Sequence, residues 1–306
     1  MKRNERLRIH RKETRSLTMM AIPGILLLLV FNYLPMSGAV MAFKDFNPRL
    51  GIWGSPWNGF ENFKFFFESQ DALRTIRNTL FYSCTFLVLD IITTVGLALM
   101  FFHLRSQRAL KVYNTVVILP RFLSAVLIAF IVYTLLSHSH GLINSVIKLF
   151  GGEGIKWYLE AKYWPVILTI THIWGNVGMG SVLYYASLMS LDTALLEAAT
   201  LDGANTWQKI WHVMIPHLIP IIIIRTIMAM GSIFNGDFGL FFQVPKNSGI
   251  LYETTDIINT YTYRALQEGS LAKGAAVGLF QSAAGAIMLL IVNGIVRKIR
   301  PEDAFF

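Results

Sequence analysis

Three ionisable side chains, Asp90, Arg121 and Arg225, each lie within an otherwise uncharged apolar run. Charged groups at such positions pair with one another or carry protons and ions. If the runs are helices, a rise of 1.5 Å per residue puts Asp90 about 20 Å, and each arginine about 13 Å, from helix ends on the same side. Long side chains can meet across that difference. We therefore predict a structural ion pair between Asp90 and one arginine rather than a proton relay, for which one acid is too few.

Motifs for enzymatic chemistry are absent from the sequence. An ATP-hydrolysing chain needs a glycine-rich phosphate cradle followed by Lys and Ser or Thr, and GGEGIKWY at residues 151–158 lacks that spacing. No HExxH or GxSxG element is present to recruit His172 or His212 into a hydrolase. Cys84 is the one cysteine, so the chain can form neither a disulfide framework nor a thiolate metal site. We expect no catalytic residue, metal or cofactor in this chain.

Composition and hydropathy predict the secondary structure that holds these residues. Hydrophobic residues make up 54% and charged residues 15% of the 306 residues, and the mean hydropathy is +0.50, which is typical of membrane proteins. Apolar runs of about 18 residues or more can cross the hydrocarbon core as helices. We predict an all-α membrane protein with about six transmembrane helices in a domain over residues 16–306. The predicted spans are residues 16–43, 78–104, 112–136, 164–191, 216–236 and 274–296.

The basic segment at residues 1–15 indicates the orientation. With both termini placed in the cytoplasm, Lys and Arg are denser on the cytoplasmic side, as the positive-inside rule requires. Anionic headgroups attract such a segment, so the formal net charge of +9 calls for no nucleic acid. The run at 16–43 is too long for the apolar region of a secretory signal, which favours a retained helix.

A compact polar stretch, EAATLDGANTWQKIWHVMIPHLIP at residues 197–220, separates the fourth and fifth predicted spans. It predicts two short helices in a cytoplasmic loop at residues 192–215. Asp192 is the expected N-cap of the first helix, which should stop at Gly203 because glycine readily adopts the left-handed conformation. Asn205 should cap the second helix, with Gln208 completing a capping box.

The second loop helix has an apolar stripe at positions i, i+3, i+4, i+7 and i+8. Prolines at positions 216 and 220 then mark the entry into the fifth span. An exposed surface that is both apolar and acidic indicates a partner. The stripe consists of Trp207, Ile210, Trp211, Met214 and Ile215.

The polar stretch resembles the EAA motif of permease subunits of binding-protein-dependent ABC importers, a pattern of roughly EAA-x2-DGA, an aromatic residue and a Leu-Pro pair. Ile210 and Ile215 replace the usual Phe and Leu with residues of the same apolar character. The segments LLLLVFNYLPMSGAVMAFKDF, GIWGSPWNGFENFKFF and DFGLFFQVPKNSGILYETTDIINTYTYRAL are similar to the branch that imports oligosaccharides and polysaccharide fragments. The matching motif positions are Glu197, Ala198, Ala199, Asp202, Gly203, Ala204 and Pro216.

This resemblance implies the type I ABC importer permease fold and a set of partners. A second, homologous permease would complete the path for an oligosaccharide that an extracellular solute-binding protein delivers. Two ATP-hydrolysing subunits, which bind ATP and Mg, would dock beneath the membrane and receive a coupling helix from each permease. The residues that the resemblance assigns to ATPase coupling are Glu197, Ala198, Ala199, Asp202, Gly203 and Ala204.

The resemblance also implies a sugar site near the bilayer midplane, in the fourth and fifth spans. Donors and acceptors there would bind hydroxyl groups, and Trp174 would offer a flat apolar face. The alternative for each polar residue is an interhelical hydrogen bond without a ligand. Counted from Glu197, the sugar-contacting positions of maltose-type permeases fall on His172, Gly175, Asn176, Met179, Met228, Ser232 and Asn235, of which His172, Asn176, Ser232 and Asn235 are polar.

Other functions remain open at this point. An ABC permease for a peptide or phosphate would carry the same loop, although similarity outside the loop favours the sugar branch. A secondary carrier or a membrane scaffold would explain the spans alone, and co-purification with an ATPase would exclude both. A secondary carrier would prefer several intramembrane acids, and the spans hold only Asp90.

Overall fold

The computed structural model describes residues 17–305, so the predicted cytoplasmic segment 1–15 lies outside the described residues. Regular secondary structure in the described residues is entirely helical, apart from one isolated bridge between Lys44 and Trp57. The chain divides into two compact units. The described part of the first unit is residues 17–66 and 265–279, and that of the second is residues 67–264 and 280–305.

Five helices are long and apolar enough to cross a membrane, and a bent helix pair supplies a sixth candidate. The predicted all-α membrane fold is thereby confirmed. The main helices are α1 (Leu17–Phe43), α2 (Gln70–Phe102), α3 (Gln107–Ile118), α4 (Ala125–Leu136), α5 (Trp164–Met189), α6 (Thr193–Leu201), α7 (Thr206–Gly231), α8 (Phe238–Gln243), α9 (Ile258–Gln267) and α10 (Leu271–Ile299). Shorter helices lie at Gly51–Gly54, Glu61–Phe67, Leu142–Leu149 and Tyr252–Thr255.

The third predicted span is broken rather than straight. Gln107–Phe122 and Ala125–Leu136 meet at an angle of 102°. Pro120 lies in a 3-10 turn at the end of the first piece, and the Ser124 side chain caps the second by accepting from the Leu127 N–H at 3.3 Å. The cap starts a new helix in a new direction, which hydropathy alone does not register.

Helix α7 is continuous where the sequence predicts a short loop helix followed by a separate span. It runs from Thr206 to Gly231 through both prolines. A π turn at Ile210–Met214 immediately precedes Pro216. Local π adjustments of this kind let a membrane helix continue past a proline.

Helix α2 begins earlier than hydropathy predicts, at Gln70 rather than Asn78. The Ser69 side chain caps it by accepting from the Ala72 N–H at 3.1 Å. Its first two turns are polar and contain Arg74, whose contacts lie outside the apolar part of the helix.

The second unit contains two apolar clusters with polar residues between them. Helix α2 packs along α5, and α3 crosses α5 so closely that a Cβ on Gly178 would overlap the Val117 carbonyl. The loop-end cluster is Val95, Ala98, Tyr184, Leu188, Leu191, Met214 and Leu218. The far-end cluster is Tyr82, Phe86, Ala129, Val132, Leu136, Trp164, Leu168, Leu240, Phe241, Val244, Leu251 and Ile257.

A buried carboxylate, Asp256, joins the start of α2 to α9. Its side chain is fully buried and accepts from Arg74 at 2.7 Å and from Arg264 at 2.8 and 2.7 Å. The Thr260 hydroxyl donates to it at 2.8 Å. Arg264 also lies over the Tyr252 ring, 4.2 Å from its centroid. We refer to Asp256, Arg74, Arg264 and Thr260 as the Asp256 clamp.

In the first unit, a buried lysine holds the loop that follows α1. The Lys44 ammonium donates to the carbonyls of Ile52 at 2.9 Å and Trp53 at 3.1 Å. Asn62 donates from its amide to the carbonyls of Ala42 and Lys44, both at 2.9 Å. These bonds satisfy the backbone of a loop that has little regular structure of its own.

Candidate functional site

Helix α6 ends as its sequence predicts. The Asp192 side chain accepts from the Ala194 N–H at 2.9 Å and caps the start. The helix ends at Leu201, and Gly203 takes a φ of +80°. The N–H of Ala204 then bonds the Ala199 carbonyl at 2.9 Å, which closes the helix end.

Helix α7 starts with the predicted capping box. The Asn205 side chain accepts from the Gln208 N–H at 2.9 Å, and the Gln208 side chain accepts from the Asn205 N–H at 2.8 Å. The Lys209 ammonium donates to the Thr200 hydroxyl at 3.0 Å, so it ties α7 to α6. These bonds fix the turn between the two helices, which is exposed on the protein surface.

The predicted apolar stripe does not form one face. Met214 is buried in the loop-end cluster, whereas Trp207 and Trp211 are 68% and 59% exposed. The π turn at Ile210–Met214 shifts the register between the two halves, which a regular helical period misses. A shallow cavity of about 280 Å³ lies beside this start of α7 and is lined by Asp202, Gly203 and Ala204, among others.

Two cavities lie beside the far-end cluster, and the larger also reaches Tyr184 of the loop-end cluster. The larger, about 330 Å³, is lined by Asp90, Arg225, Ser232 and Asn235, among others. The smaller, about 180 Å³, is lined by Arg121, Asn176 and Gly175, among others. His172 and Asp237 line both. The larger is of the size that proteins use to bind small ligands.

The backbone leaves the helical form beside both cavities. Helix α7 ends at Gly231, and residues 232–236 are non-helical until Asp237 caps α8 through the Leu240 N–H at 3.0 Å. The break between α3 and α4 borders the smaller cavity. Non-helical backbone at membrane depth is tolerated where it lines a cavity, and transporters use such breaks at their binding sites.

A hydrogen-bonded chain runs along one wall of the cavities. Asp90 Oδ2 lies 3.1 Å from His172 Nε2. His172 Nδ1 lies 3.4 Å from the amide nitrogen of Asn176, whose oxygen accepts from Arg121 at 3.0 Å. The Phe86 ring stacks on the His172 ring with centroids 3.8 Å apart. The chain fixes the imidazole in one plane between the cavities.

The predicted ion pair between Asp90 and an arginine is therefore wrong. In the described residues Asp90 pairs with His172, while Arg121 bonds Asn176. Arg225 lies over the Tyr184 ring, 5.4 Å from its centroid. The distances along the helices put all three charges at similar depths in the membrane. The direction that each side chain takes around its helix, however, decides which neighbour it contacts.

The structure places the four polar residues predicted for the sugar site in the cavity walls and leaves out Trp174. Of the other three positions counted from the motif, Gly175 lines the smaller cavity, whereas Met179 and Met228 line neither. The Trp174 ring is 39% exposed and lines neither cavity. His172 and Asn176 are four residues apart and share a face of α5, whereas Trp174, two residues from each, points to the other side. Tyr184 and Asp237 also line the larger cavity and were missed. Asp237 lies two residues after Asn235, one of the predicted positions.

The pairing of Asp90 with His172 predicts a specific energetic coupling. Asp90→Ala and His172→Ala should each lower the melting temperature of the purified protein. The double mutant should lose less than the sum, with an interaction energy of about 1–2 kcal/mol, because each single change already removes the shared bond. Asp90→Ala with His217→Ala, a histidine bonded instead to the Ser187 carbonyl, should be additive. A stronger coupling to Arg121 or Arg225 would restore the predicted ion pair.

Comparison with known proteins gives a consistent result. A family model described as "Binding-protein-dependent transport system inner membrane component" matches residues 91–301. Protein LplB of Bacillus subtilis (strain 168) is 32% identical over 96% of this chain and 92% of its own length. The polygalacturonan/rhamnogalacturonan transport system permease protein YteP of the same organism is 30% identical over 99% and 94%.

Solved structures match as well. A chain from the crystal structure of a bacterial ABC transporter involved in the import of the acidic polysaccharide alginate superposes with a TM-score of 0.87. It is 32% identical, and the match covers 96% of this chain and 99% of that chain. A bacterial alginate ABC transporter in complex with an alginate pentasaccharide-bound periplasmic protein gives a TM-score of 0.85, at 32% identity over 94% and 96%.

Proposed function

The chain belongs to the binding-protein-dependent transport system inner membrane components, and from that membership we propose how it works. It is a membrane-spanning permease subunit of an ABC importer for oligosaccharides or polysaccharide fragments. The observation that carries this function is the family match, because its range contains both the 192–215 loop and most of the lining of the two cavities.

The sugar reading is favoured over a peptide or phosphate ligand. YteP is named for polygalacturonan and rhamnogalacturonan transport, and the matching crystal structures are of alginate transporters. Each of these relatives covers nearly the whole chain. In this protein the two cavities would hold the saccharide, with Ser232, Asn235, His172 and Asn176 as candidate contacts.

We propose the partners of this chain on the same basis. The structural neighbour in complex with a sugar-bound periplasmic protein supports delivery of substrate by a solute-binding protein. A second permease would complete the translocation path. Two ATP-hydrolysing subunits, which bind ATP and Mg, would receive the exposed α6–α7 turn through Glu197, Ala198, Ala199, Asp202, Gly203 and Ala204. On this proposal the loop and both termini lie in the cytoplasm, which agrees with the distribution of Lys and Arg.

Replacing Ser232 and Asn235 together with leucine should lower sugar uptake by about 100-fold, because the cavity then loses its hydrogen-bonding groups at the end of α7. The measurement is uptake of labelled oligosaccharide by cells that carry the complete importer with the altered chain. Binding-protein docking and ATPase association, measured by co-purification, should stay at the wild-type level.

Thr134→Leu is the matched control for that double mutant. Like Ser232, Thr134 is an exposed residue whose hydroxyl bonds a carbonyl of its own helix, and it lines neither cavity. It should leave uptake unchanged. Normal uptake by the Ser232 and Asn235 double mutant would remove both residues from the site.

A further inference from the structure

One end of the larger cavity holds polar groups without protein partners. Asp90 Oδ1 is buried and makes no hydrogen bond with the described part of the chain. The Tyr184 hydroxyl is also buried and lies close to the Arg225 guanidinium, without a hydrogen bond of normal geometry to the described residues. Tyr184 as a whole is fully buried, and the Arg225 guanidinium lies over its ring. All three side chains line the cavity. A donor, a donor-acceptor and an acceptor thus belong to residues of the same cavity wall.

Arg225 lines this cavity together with two carboxylates that have other partners. Asp90 has His172 as its partner at 3.1 Å, and Asp237 caps the N-terminus of α8 at 3.0 Å. Arg225 forms no ion pair with any carboxylate in the described residues. A guanidinium cannot lose its proton in a protein, so its charge at membrane depth is best balanced by an anion from the ligand.

We propose that this end of the cavity binds the carboxylate of an acidic sugar residue, an inference that rests on the proposed sugar-import function. Arg225 and the Tyr184 hydroxyl donate to the two carboxylate oxygens. A neighbouring hydroxyl of the same sugar donates to Asp90 Oδ1. The planar guanidinium is well suited to a carboxylate, which it binds through two parallel N–H bonds.

Other ligand classes leave this set of groups unbalanced. A neutral sugar supplies the hydroxyl for Asp90 but no charge for Arg225. A phosphate ester carries close to two negative charges at neutral pH, so it would place an excess charge beside the Asp90 carboxylate. A uronate brings one negative charge and adjacent hydroxyls, which matches the three groups.

The smaller cavity extends the same recognition to a second unit. Arg121 donates to the neutral amide of Asn176 and forms no ion pair with a described carboxylate. Because His172 and Asp237 line both cavities, a chain of acidic sugars that passes them meets a guanidinium on each side. An oligosaccharide with a carboxylate on each unit would therefore be bound at two positions.

The test compares trigalacturonate with its methyl ester, which has the same shape without the charge. The solute-binding protein selects substrates upstream, so binding is measured directly on the assembled transporter in nanodiscs without it. Trigalacturonate should bind at least about 10-fold more tightly than the ester. Arg225→Gln should weaken trigalacturonate by about 10- to 100-fold, because a charge-assisted bond is lost, and should leave the ester nearly unchanged.

Three further variants support the comparison. Arg225→Lys keeps the charge without the planar fork and should lie between wild type and Arg225→Gln. Tyr184→Phe keeps the ring packing and should weaken trigalacturonate by about 3- to 10-fold, which tests the site even if Arg225→Gln unfolds. Arg108→Gln, at an exposed arginine near the start of α3 that lines neither cavity, is the matched control and should bind like wild type.

The outcomes separate this proposal from the function on which it rests. If the ester or arabinotriose binds as tightly as trigalacturonate, or if Arg225→Gln and Tyr184→Phe bind trigalacturonate normally, acidic-sugar recognition by these groups is overturned while sugar import stands. If trigalacturonate, its ester and arabinotriose all fail to bind the wild-type assembly, the sugar site itself is overturned.

Discussion

Gly203→Asp should reduce sugar uptake by at least about 100-fold, equivalent to about 2.7 kcal/mol of lost coupling, while membrane insertion stays normal. Gly203 has a φ of +80°, and a Cβ there would meet no atom of this chain within 4 Å. The new side chain therefore projects from an exposed turn into the surface that we propose the ATP-hydrolysing subunit occupies. Uptake in cells and co-purification of the ATPase measure the two effects.

Gly269→Asp is the control that separates backbone strain from partner contact. Gly269 follows α9 with the same φ of +80° and the same open space around its Cβ position. Its helix end is closed in the same way, with the Ser270 N–H on the Ala265 carbonyl at 3.0 Å. The two substitutions share their intrinsic backbone cost, so Gly269→Asp should leave uptake intact. Equal losses in both variants would show that strain, not docking, is responsible.

Asp256→Ala should lower the free energy of unfolding by about 3–5 kcal/mol, because it leaves Arg74 and Arg264 without their common partner in the Asp256 clamp. The carboxylate is fully buried and both guanidinium groups lie within 2.8 Å of it. The start of α2 would then lose its charged link to α9 through Arg74 and Arg264. Thermal unfolding of the purified protein in detergent, followed by fluorescence, measures the loss.

Asp71→Ala provides the comparison within the same cluster. Asp71 also pairs with Arg74, at 2.9 Å, but its side chain is 46% exposed. Water replaces an exposed carboxylate at little cost, so this change should alter the unfolding free energy by less than about 1 kcal/mol. Similar melting temperatures for the two variants would mean that the clamp contributes no more than an ordinary surface pair.

The loop at residues 192–215 could be predicted from sequence because its chemistry is local. Asp192, Gly203 and the Asn205–Gln208 pair act on backbone groups no more than four residues away, so the identity of a few neighbours decides the geometry. The structure reproduces each of these caps. The membrane fold was equally accessible, since span length and hydropathy are properties of single segments.

The arrangement of residues around the cavities could not be predicted from the sequence in the same way. Whether Asp90 meets His172 or an arginine depends on how α2, α5 and α7 are rotated against one another, and no single segment records that rotation. The bend at Ser124 is a capping signal hidden in an apolar run. Trp174 was predicted from the chemistry of its ring rather than from the helical position that turns it away from His172 and Asn176.

The continuity of α7 has a mechanical consequence. Its 26 residues run without interruption from the capped turn at Asn205 to the rim of the larger cavity at Gly231, a length of about 39 Å. A tilt of only about 5° at one end of a rod this long displaces the other end by about 3 Å, comparable to the length of a hydrogen bond. Small rotations at the surface are thus amplified where the ligand would lie. If rotation of the turn shifts the end of the helix at the cavity, linkage requires the reverse as well, so that occupancy of the cavity would bias the angle at which the turn is presented.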